Sequence, residues 1–235
     1  MAATASAPGC LNIHFWKTEG NNLNMRFLSR LACVIVIIGA AGGSLAAPAH
    51  DHPEFIRLKT VQPTENPGKV EVIEFFWYGC PHCDKLEPAV EAWEKRLPKD
   101  VVFRREHVIW PGRDDTEAHA RLFLTLRAMG LLAQHHQAVF DAIHRAKLRL
   151  RSEADVFKWA AGRGIDRARF EATYKSFGVN AQVARARAAT LDYSVDGVPN
   201  FAVNGKFMVS LGNAHSEKRL FEIIDKLVAG ERQKK

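Results

Sequence analysis

The sequence predicts an α/β fold that is interrupted by a block of helices. A strand, a tight turn and a helix follow one another in residues 69–97 and lead into a second strand, 101–109. Helical patterns alone fill residues 114–191, and two short strands and a last helix follow them. A strand-helix-strand unit of about 40 residues is long enough for a parallel crossover. The strands on both sides of the helical block are therefore expected to form one sheet.

Residues 1–49 are interpreted as an N-terminal extension and a secretory signal peptide. After Met25, the expected start, two arginines precede the apolar run 31–38, and small residues follow. This run is shorter than the roughly 20 residues that a membrane span needs, although an uncleaved anchor is the alternative. Cleavage is expected after Ala46 or after Ala49.

Residues 50–113 are predicted to hold the first half of the sheet. The segment 69–78 is rich in β-branched and aromatic residues and almost continuously apolar, as in a buried central strand. Pro81 suits the first turn of a helix, and apolar residues recur at helical spacing until Pro98. The strand 101–109 follows, so these elements form a parallel unit.

Residues 114–191 are predicted to be helical, and residues 192–235 to complete the sheet. The predicted helices of the block are 116–129, 132–147, 152–161, 166–177 and 180–191. Ser152 and Asp166 are good N-cap residues, and Gly130, Gly162 and Gly178 stand where helices should end. Asn204-Gly205 between the strands 197–203 and 206–209 predicts a hairpin, and a helix at 216–229 closes the chain.

The composition excludes several classes of protein. With 235 residues, the chain is long enough to bury a core without disulfide staples. Its 4 cysteines and 25% charged residues are typical neither of a disulfide scaffold nor of a disordered chain. The net charge of +7 comes from basic residues spread along helical patterns without interleaved aromatics. No nucleic-acid partner is therefore predicted.

The Cys80-Pro81-His82-Cys83 motif is the clearest indication of chemistry. It lies where a strand ends and a helix begins, so unpaired backbone N–H groups and the helix dipole favour a thiolate at Cys80. His82 is expected to add a charge or a hydrogen bond, and Cys83 to be the more buried partner. A low-pKa thiolate is a good leaving group in disulfide exchange and makes the disulfide a strong oxidant.

Two other interpretations of the cysteine pair, a structural zinc site and a static disulfide, fit the sequence less well. A structural zinc site usually takes four Cys or His ligands, and no second spaced pair follows the predicted signal peptide. A static disulfide between Cys80 and Cys83 would close a very small loop, so its entropic stabilisation would be modest. Redox chemistry at the pair is the preferred interpretation.

The segment Glu74-Phe-Phe-Trp-Tyr-Gly-Cys80-Pro-His-Cys83, with Gly197-Val-Pro199 and Asn204-Gly-Lys206 further along, resembles the DsbA family of periplasmic thiol-disulfide oxidoreductases. The resemblance spans roughly residues 54–228 and places the chain in the thioredoxin superfamily. It implies an α/β, thioredoxin-like fold with an inserted α-helical domain at 114–191. Residues 50–113 and 192–235 would then be the two parts of the thioredoxin-like domain.

The resemblance also implies roles for residues outside the cysteine pair. Pro199 would be a cis proline packed against the cysteines, and Val198 would offer its backbone to an extended client segment. A proline at the start of a strand is the alternative explanation of Pro199. Glu74 stands in an otherwise apolar strand and matches an acidic family residue near the active site. It is expected to accept a proton from Cys83.

Several further residues are candidates with an alternative beside each. Trp77 and Trp110 are expected to bind apolar client segments, and ordinary packing is the alternative. Glu87 and His107 match family positions, but a solvent-facing carboxylate and a structural histidine explain them equally well. His50-Asp51-His52 would begin the chain after cleavage at Ala49 and would then resemble a copper-binding terminus.

We therefore expect a monomeric periplasmic dithiol oxidase of a Gram-negative envelope. It would donate the Cys80–Cys83 disulfide to reduced, unfolded, newly secreted proteins, with no cofactor and no metal site. The resemblance implies reoxidation by a quinone-linked membrane oxidase of the DsbB type. The alternatives are a periplasmic disulfide isomerase or reductase, and a non-enzymatic copper- or zinc-binding protein.

Overall fold

The computed structural model describes residues 53–234. The predicted signal peptide, its start at Met25, its cleavage after Ala46 or Ala49, and the motif His50-Asp51-His52 lie outside the described residues. In the described range, no helix is both long and apolar enough to cross a membrane.

A mixed sheet runs through the described part of the chain. Its strands are β1 (Ile56–Arg57), β2 (Val70–Phe76), β3 (Val101–His107), β4 (Asn200–Val203) and β5 (Phe207–Ser210). They lie in the order β1-β5-β4-β2-β3. Strands β2 and β3 are parallel, and the other neighbouring pairs are antiparallel. The strands before and after the helical block thus form one sheet, as predicted.

Strand β2 is the centre of this sheet. Every one of its residues is buried, and it is paired on one edge with β3 and on the other with β4. Its β-branched and aromatic residues suit a pleated surface that is covered on both faces. Two of its buried residues, Glu71 and Glu74, are carboxylic acids. The prediction of a buried central strand is confirmed.

The helices connect the strands and cover the sheet. They are α1 (Pro81–Glu94), α2 (Asp114–Ala128), α3 (Leu132–Phe140), α4 (Glu153–Gly162), α5 (Arg167–Tyr174), α6 (Phe177–Asp192), α7 (Leu211–Ala214) and α8 (Glu217–Arg232). A π-helix, Asp141–Arg145, continues α3. Helix α1 is the crossover between the parallel strands β2 and β3. The fold is thioredoxin-like, with helices α2–α6 between β3 and β4.

Several ends of elements follow the predicted signals. The hydroxyl of Ser152 accepts a hydrogen bond from Asp155 N at the start of α4, and Asp166 caps α5 in the same way. Asn204 and Gly205 both adopt positive φ angles, 51° and 64°, in the hairpin between β4 and β5. A Cβ atom at Gly205 would lie 2.0 Å from the carbonyl oxygen of Gln62, so this turn requires glycine.

The boundary between α5 and α6 differs from the prediction. Helix α5 ends at Tyr174, and Gly178 is the second residue of α6 instead of the end of the preceding helix. The reason is Ser176, whose hydroxyl accepts a hydrogen bond from Val179 N and caps α6. The predicted helix 132–147 is also interrupted, because its second half is the π-helix. Strand β1 and helix α7 were not predicted, since both are too short to show a periodic pattern.

Two large clusters of buried apolar residues pack along one face of β2, one against Val70 and Val72 near its start and the other against Phe76 at its end. One lies between the sheet, α1 and α8 and contains Trp93, Phe201 and Ile224. The other fills the helical block and also includes Tyr78, Cys80 and Cys83. The cysteine motif is therefore located where the end of the central strand meets the core of the helical block.

Candidate active site

Cys80 occupies the N-cap position of α1. Its backbone is extended (φ −87°, ψ 116°), and Pro81 follows at the first helical position. Its Sγ accepts a hydrogen bond from Cys83 N at 3.4 Å. An N-cap acceptor satisfies one of the free N–H groups of the helix, and a charged acceptor also interacts favourably with the helix dipole. The position therefore favours the thiolate over the thiol.

The pKa of Cys80 is lowered to about 6. Hydrogen bonding from the Cys83 side chain is the largest cause, and burial acts in the opposite direction. The backbone N–H groups of Cys83 and His82 and the charge of His82 lower the pKa further. Cys80 thus ionises near neutral pH, and His82 contributes as the sequence predicted.

Cys83 has the opposite character. It is completely buried one turn into α1, and burial raises its pKa well above the usual value for a thiol. The neighbouring Cys80 raises it further. Both cysteines are free thiols in the structure. The pair therefore combines a Cys80 that is 6% exposed and ionises easily with a completely buried Cys83 that does not, the asymmetry that disulfide exchange requires.

The loop before β4 lies directly against Cys80. The Val198–Pro199 peptide bond is cis. The carbonyl oxygen of Val198 lies 3.4 Å from the Sγ of Cys80 and accepts a hydrogen bond from its thiol form. Val198 and Pro199 also line a surface cavity of about 590 Å³, together with His82 and the exposed Ile56. The predicted cysteine, histidine and proline positions are thus adjacent in the structure.

An acidic cluster lies beneath the cysteines and consists of Glu74, Glu87, Glu94 and Arg105. Glu74 and Arg105 are register partners in β2 and β3, with Arg105 Nε 3.4 Å from Glu74 Oε2. Arg105 also binds Glu87 at 2.7 Å and Glu94 at 3.0 Å. Glu87 is only 1% exposed, so its predicted solvent-facing alternative is wrong. Its position on α1 turns it toward β3, where it finds this guanidinium.

Glu74 is the unusual member of the acidic cluster. It is fully buried, and neither of its carboxyl oxygens accepts a hydrogen bond from a described residue. Burial raises its pKa to about 8, the charge of Glu87 raises it as well, and Arg105 opposes both. Its charge in turn raises the pKa of Cys83. Glu74 is therefore a protonated acid near neutral pH, close enough to Cys83 to affect its ionisation.

The two tryptophans predicted to bind clients, Trp77 and Trp110, each donate a hydrogen bond from the indole N–H. Trp77 is half-buried, donates from Nε1 to His119 Nδ1 at 3.0 Å, and lies under the Arg113 guanidinium at 4.4 Å from the ring centre. A Cβ atom on Gly79 would meet the Trp77 ring at 2.2 Å, so glycine makes room for the indole. Trp110 donates from Nε1 to Val195 O at 2.7 Å. Client binding by either ring stays a prediction.

Comparison with known proteins identifies the family. Residues 71–220 match the DSBA-like thioredoxin domain. The thiol:disulfide interchange protein DsbA of Azotobacter vinelandii is 41% identical over 179 residues, which cover 76% of this chain and 83% of that relative. The corresponding protein of Pseudomonas aeruginosa PAO1 is 38% identical over 191 residues, 80% of this chain and 90% of the relative. The chain belongs to the DsbA family. It is a thiol-disulfide oxidoreductase.

Solved structures of DsbA proteins have the same fold. The crystal structure of Pseudomonas aeruginosa DsbA aligns with a TM-score of 0.74 at 37% identity and covers 79% of this chain and 97% of that chain. The DsbA oxidoreductase of Xylella fastidiosa aligns with a TM-score of 0.69 at 30% identity and covers 77% and 96%. The thioredoxin-like DsbA fold predicted from the resemblance is confirmed.

A histidine cluster supports the end of β2 and the residues that follow it. It consists of His107, His119, His136 and His144, and each forms a hydrogen bond with Trp77 or Tyr78. His107 Nε2 accepts from Tyr78 N at 3.2 Å, and His144 Nε2 donates to Tyr78 O at 2.8 Å. His136 Nδ1 bonds the Tyr78 hydroxyl at 2.7 Å. The residues just before the DsbA cysteine motif are thus held by four imidazoles.

Burial favours the uncharged form of two members of the histidine cluster, His107 and His119. Burial lowers the pKa of His107 well below its usual value and also lowers that of His119. Both rings are hydrogen-bonded at both nitrogens, since His107 Nδ1 donates to Val108 O at 2.9 Å and His119 Nε2 donates to Arg149 O at 2.8 Å. These bonds fix a single neutral tautomer for each ring.

Sequence reasoning found only one member of the histidine cluster and missed Arg105. His107 was singled out by its family position, whereas the other three histidines lie in helical segments that show no motif. The eight-residue spacing of His136 and His144 puts both on one face of a continuous helical segment, which is the only signal the sequence offers. Among the described residues, no group of three His, Cys, Asp or Glu side chains is arranged to hold a metal ion.

Proposed function

We propose that this DsbA-family protein is a periplasmic dithiol oxidase that donates its Cys80–Cys83 disulfide to newly secreted proteins. The observation that carries the proposal is the opposite ionisation of the two thiols, with the pKa of Cys80 at about 6 and that of Cys83 well above the usual value. Stabilisation of the Cys80 thiolate favours the reduced form over the disulfide. A pair whose reduced form is stabilised is an oxidant.

The proposed reaction proceeds in two exchange steps. A client thiolate attacks the Cys80 sulfur of the disulfide, forms a mixed disulfide and releases Cys83. A second client thiolate then attacks the client sulfur of that mixed disulfide and releases Cys80 as a thiolate. Two electrons pass from the client to the cysteine pair, and the client leaves with a disulfide.

Glu74 is proposed to exchange the proton of Cys83. Cys83 needs a proton when the mixed disulfide forms, because its buried thiolate is strongly disfavoured. Glu74 is protonated at neutral pH and is buried beside it without a hydrogen-bond partner among the described residues. It supplies the proton in client oxidation and takes it back when the disulfide is restored.

The cavity beside Cys80 is the proposed client site. Its walls combine the backbone of Val198, Pro199 and the exposed apolar side chain of Ile56. An extended client segment can pair with this backbone while apolar side chains fill the cavity. Trp77 and Trp110 are proposed to make further contacts with apolar client side chains.

The remaining features of the proposed function concern the cell envelope. A cleaved signal peptide would deliver a monomer to the periplasm, where the cysteine pair would act without a cofactor. A membrane oxidase of the DsbB type would restore the disulfide after each cycle. The membership of the DsbA family supports these proposals.

The reduction potential of the cysteine pair tests the proposal. We expect a potential well above the about −270 mV of thioredoxin when the protein is equilibrated with a glutathione buffer. The Cys83→Ala variant should trap mixed disulfides with reduced, unfolded proteins, and the matched Cys80→Ala variant should trap none. A potential near that of thioredoxin would favour a reductase instead, and failure of Cys83→Ala to trap clients would end the oxidase proposal.

A further inference from the structure

A second large cavity lies in the helical block, away from Val198 and Pro199. Its volume is about 720 Å³, and its walls are the π-helix, the loop that follows it and one face of α4. Leu148 at its rim is 45% exposed, so the cavity is open to solvent. Ala142, Leu150 and Trp159 form apolar parts of its lining. A polypeptide segment can therefore enter it from the surface.

The backbone around this cavity has an uncommon conformation. The π-helix Asp141–Arg145 forms one wall, and π-helical segments occur frequently at functional sites. Lys147 and Leu150 adopt positive φ angles of 57° and 48° although neither is glycine. Leu150 is buried, so the surrounding core holds this conformation. Such conformations cluster at binding sites.

Basic side chains surround the cavity without carboxylate partners. Lys147, Arg149, Lys158 and Arg163 line it, and none of them forms an ion pair with a described residue. The fifth cation, Arg145, is the exception, since it binds Asp84 at 3.0 Å and Asp141 at 2.9 Å. Asp141 and Asp155 are the acidic members of the lining. The cavity therefore carries an excess of positive charge.

Trp159 supplies a second and independent sign of a ligand. It is 6% exposed at the cavity wall, and its Nε1 donates to no described residue. A buried indole N–H normally has a hydrogen-bond partner. The Arg163 guanidinium lies over the same ring at 5.8 Å from its centre. Indole, apolar side chains and free cations together match a ligand that is both apolar and anionic.

We propose that this basic cavity binds a segment of the client polypeptide in which Asp or Glu residues alternate with apolar side chains. The inference rests on the proposed function, because it names a class of client. Polypeptide is the occupant that the thiol-disulfide chemistry already brings to the protein. The Arg145–Asp84 ion pair links the cavity to the first turn of α1, one residue after Cys83. A client held here lies beside the helix that carries the reacting cysteines.

Two synthetic dithiol peptides test the inference. Both carry a cysteine pair and a flexible linker of varied length; one ends in a Glu-Leu-Glu-Trp-Glu segment and the other in its Gln counterpart. We expect the oxidised wild-type protein to oxidise the acidic peptide with a kcat/KM about tenfold higher at low salt. The difference should shrink as salt is raised.

A charge-reversed variant locates the effect. The double variant K158E/R163E should lose this preference and oxidise the neutral peptide at the wild-type rate. The matched control R169E/R185E makes the same charge change on exposed residues of the helical block that line no part of this cavity and form no ion pair with a described residue. It should keep the preference. A cysteine-free acidic peptide should compete in the wild type and not in K158E/R163E.

Each result decides the inference separately from the proposed function. Equal rates for the two peptides, or equal losses in K158E/R163E and R169E/R185E, would overturn the inference and leave the oxidase proposal intact. If neither peptide is oxidised, the oxidase proposal fails. Binding of the cysteine-free acidic peptide, measured by fluorescence anisotropy, still tests the inference in that case. Weaker binding to K158E/R163E than to the wild type would support the cavity as the binding site, and equal binding would overturn it.

Discussion

The acidic cluster and the histidine cluster both lie next to the end of β2, yet their hydrogen bonding differs. The histidines bond the backbone and side chains of Trp77 and Tyr78, and two of them are bonded at both ring nitrogens. The acidic cluster contains Glu74, whose two oxygens accept no hydrogen bond from a described residue. Hydrogen bonds at both ring nitrogens fix the geometry of His107 and His119, whereas an acid without a hydrogen-bond partner is free to gain and lose a proton.

Glu74 of the acidic cluster and two of the histidines respond to pH in opposite ways. The pKa of Glu74 is raised from 4.5 to about 8, so its contribution to stability is complete below pH 4.5 and is lost as pH rises through about 8. The pKa values of His107 and His119 are lowered, so their contribution is present above pH 6.5 and is lost as pH falls. His136 of the histidine cluster is in contact with the acidic cluster, with its Nε2 3.4 Å from Glu87 Oε1. Near the end of β2, the contribution of Glu74 to stability is therefore lost at high pH, and that of His107 and His119 is lost at low pH.

The substitution His107→Leu should have the largest effect on stability. It leaves the buried N–H of Tyr78 without its acceptor and Val108 O without its donor, so we expect the free energy of unfolding to fall by about 3 kcal/mol above pH 6.5. The loss should narrow at lower pH, where wild-type His107 loses its contribution. Urea denaturation measures it. The exposed control His215→Asn should change stability by less than about 0.5 kcal/mol. Equal effects would show that the histidine cluster does not hold the strand end.

The substitution Glu74→Leu should act in the opposite direction. Removal of a buried, unsatisfied carboxyl group should raise the free energy of unfolding by about 2 kcal/mol near pH 8. The gain should decrease toward pH 4.5, because the wild-type group folds there in its protonated form. The variant Glu74→Gln keeps the size of the side chain and should show the same pH trend. A gain that is independent of pH would mean that the charge of Glu74 is not the cause.

The substitution Tyr78→Phe should have the smallest of these effects. It removes one hydroxyl and its 2.7 Å hydrogen bond to His136, which corresponds to a loss of about 1 kcal/mol. Tyr193→Phe is a matched control, because the Tyr193 hydroxyl is also buried but has no partner among the described residues. It should leave the free energy of unfolding nearly unchanged. Equal losses of stability in the two variants would show that the Tyr78–His136 hydrogen bond does not stabilise the protein.

The features that local sequence determines were predicted well. A continuous apolar run marked β2, and an Asn-Gly pair marked the hairpin, because both depend on residues close together in the chain. The turn chemistry of Cys80-Pro81 likewise depends only on the junction of a strand and a helix. The cis bond before Pro199 came from the family resemblance, since the composition of the loop alone favours trans.

The features that depend on tertiary contacts were missed. The hydrogen bonds of the histidine cluster join Tyr78 to residues 29, 58 and 66 positions away. No periodic pattern marks such a residue as buried, and histidine is common on surfaces as well as in cores. Glu87 was ambiguous for the same reason. Its burial is decided by Arg105, which becomes its neighbour only when β3 aligns beside β2.

The position of β2 between β3 and β4 determines the order in which the protein can assemble during synthesis. The strand β3 follows β2 after one helix, but β4 is made only after the whole helical block. Val72 of β2 therefore cannot pair with its partner Val203 of β4 until the helical block has been made. Until then, an apolar strand with an unpaired edge leads into a reactive cysteine pair. Such an edge is prone to pair with other chains, and contacts that are distant in sequence form slowly. A nascent molecule of this protein is therefore itself vulnerable to aggregation and to wrong disulfides until β4, which begins at residue 200 of 235, has emerged.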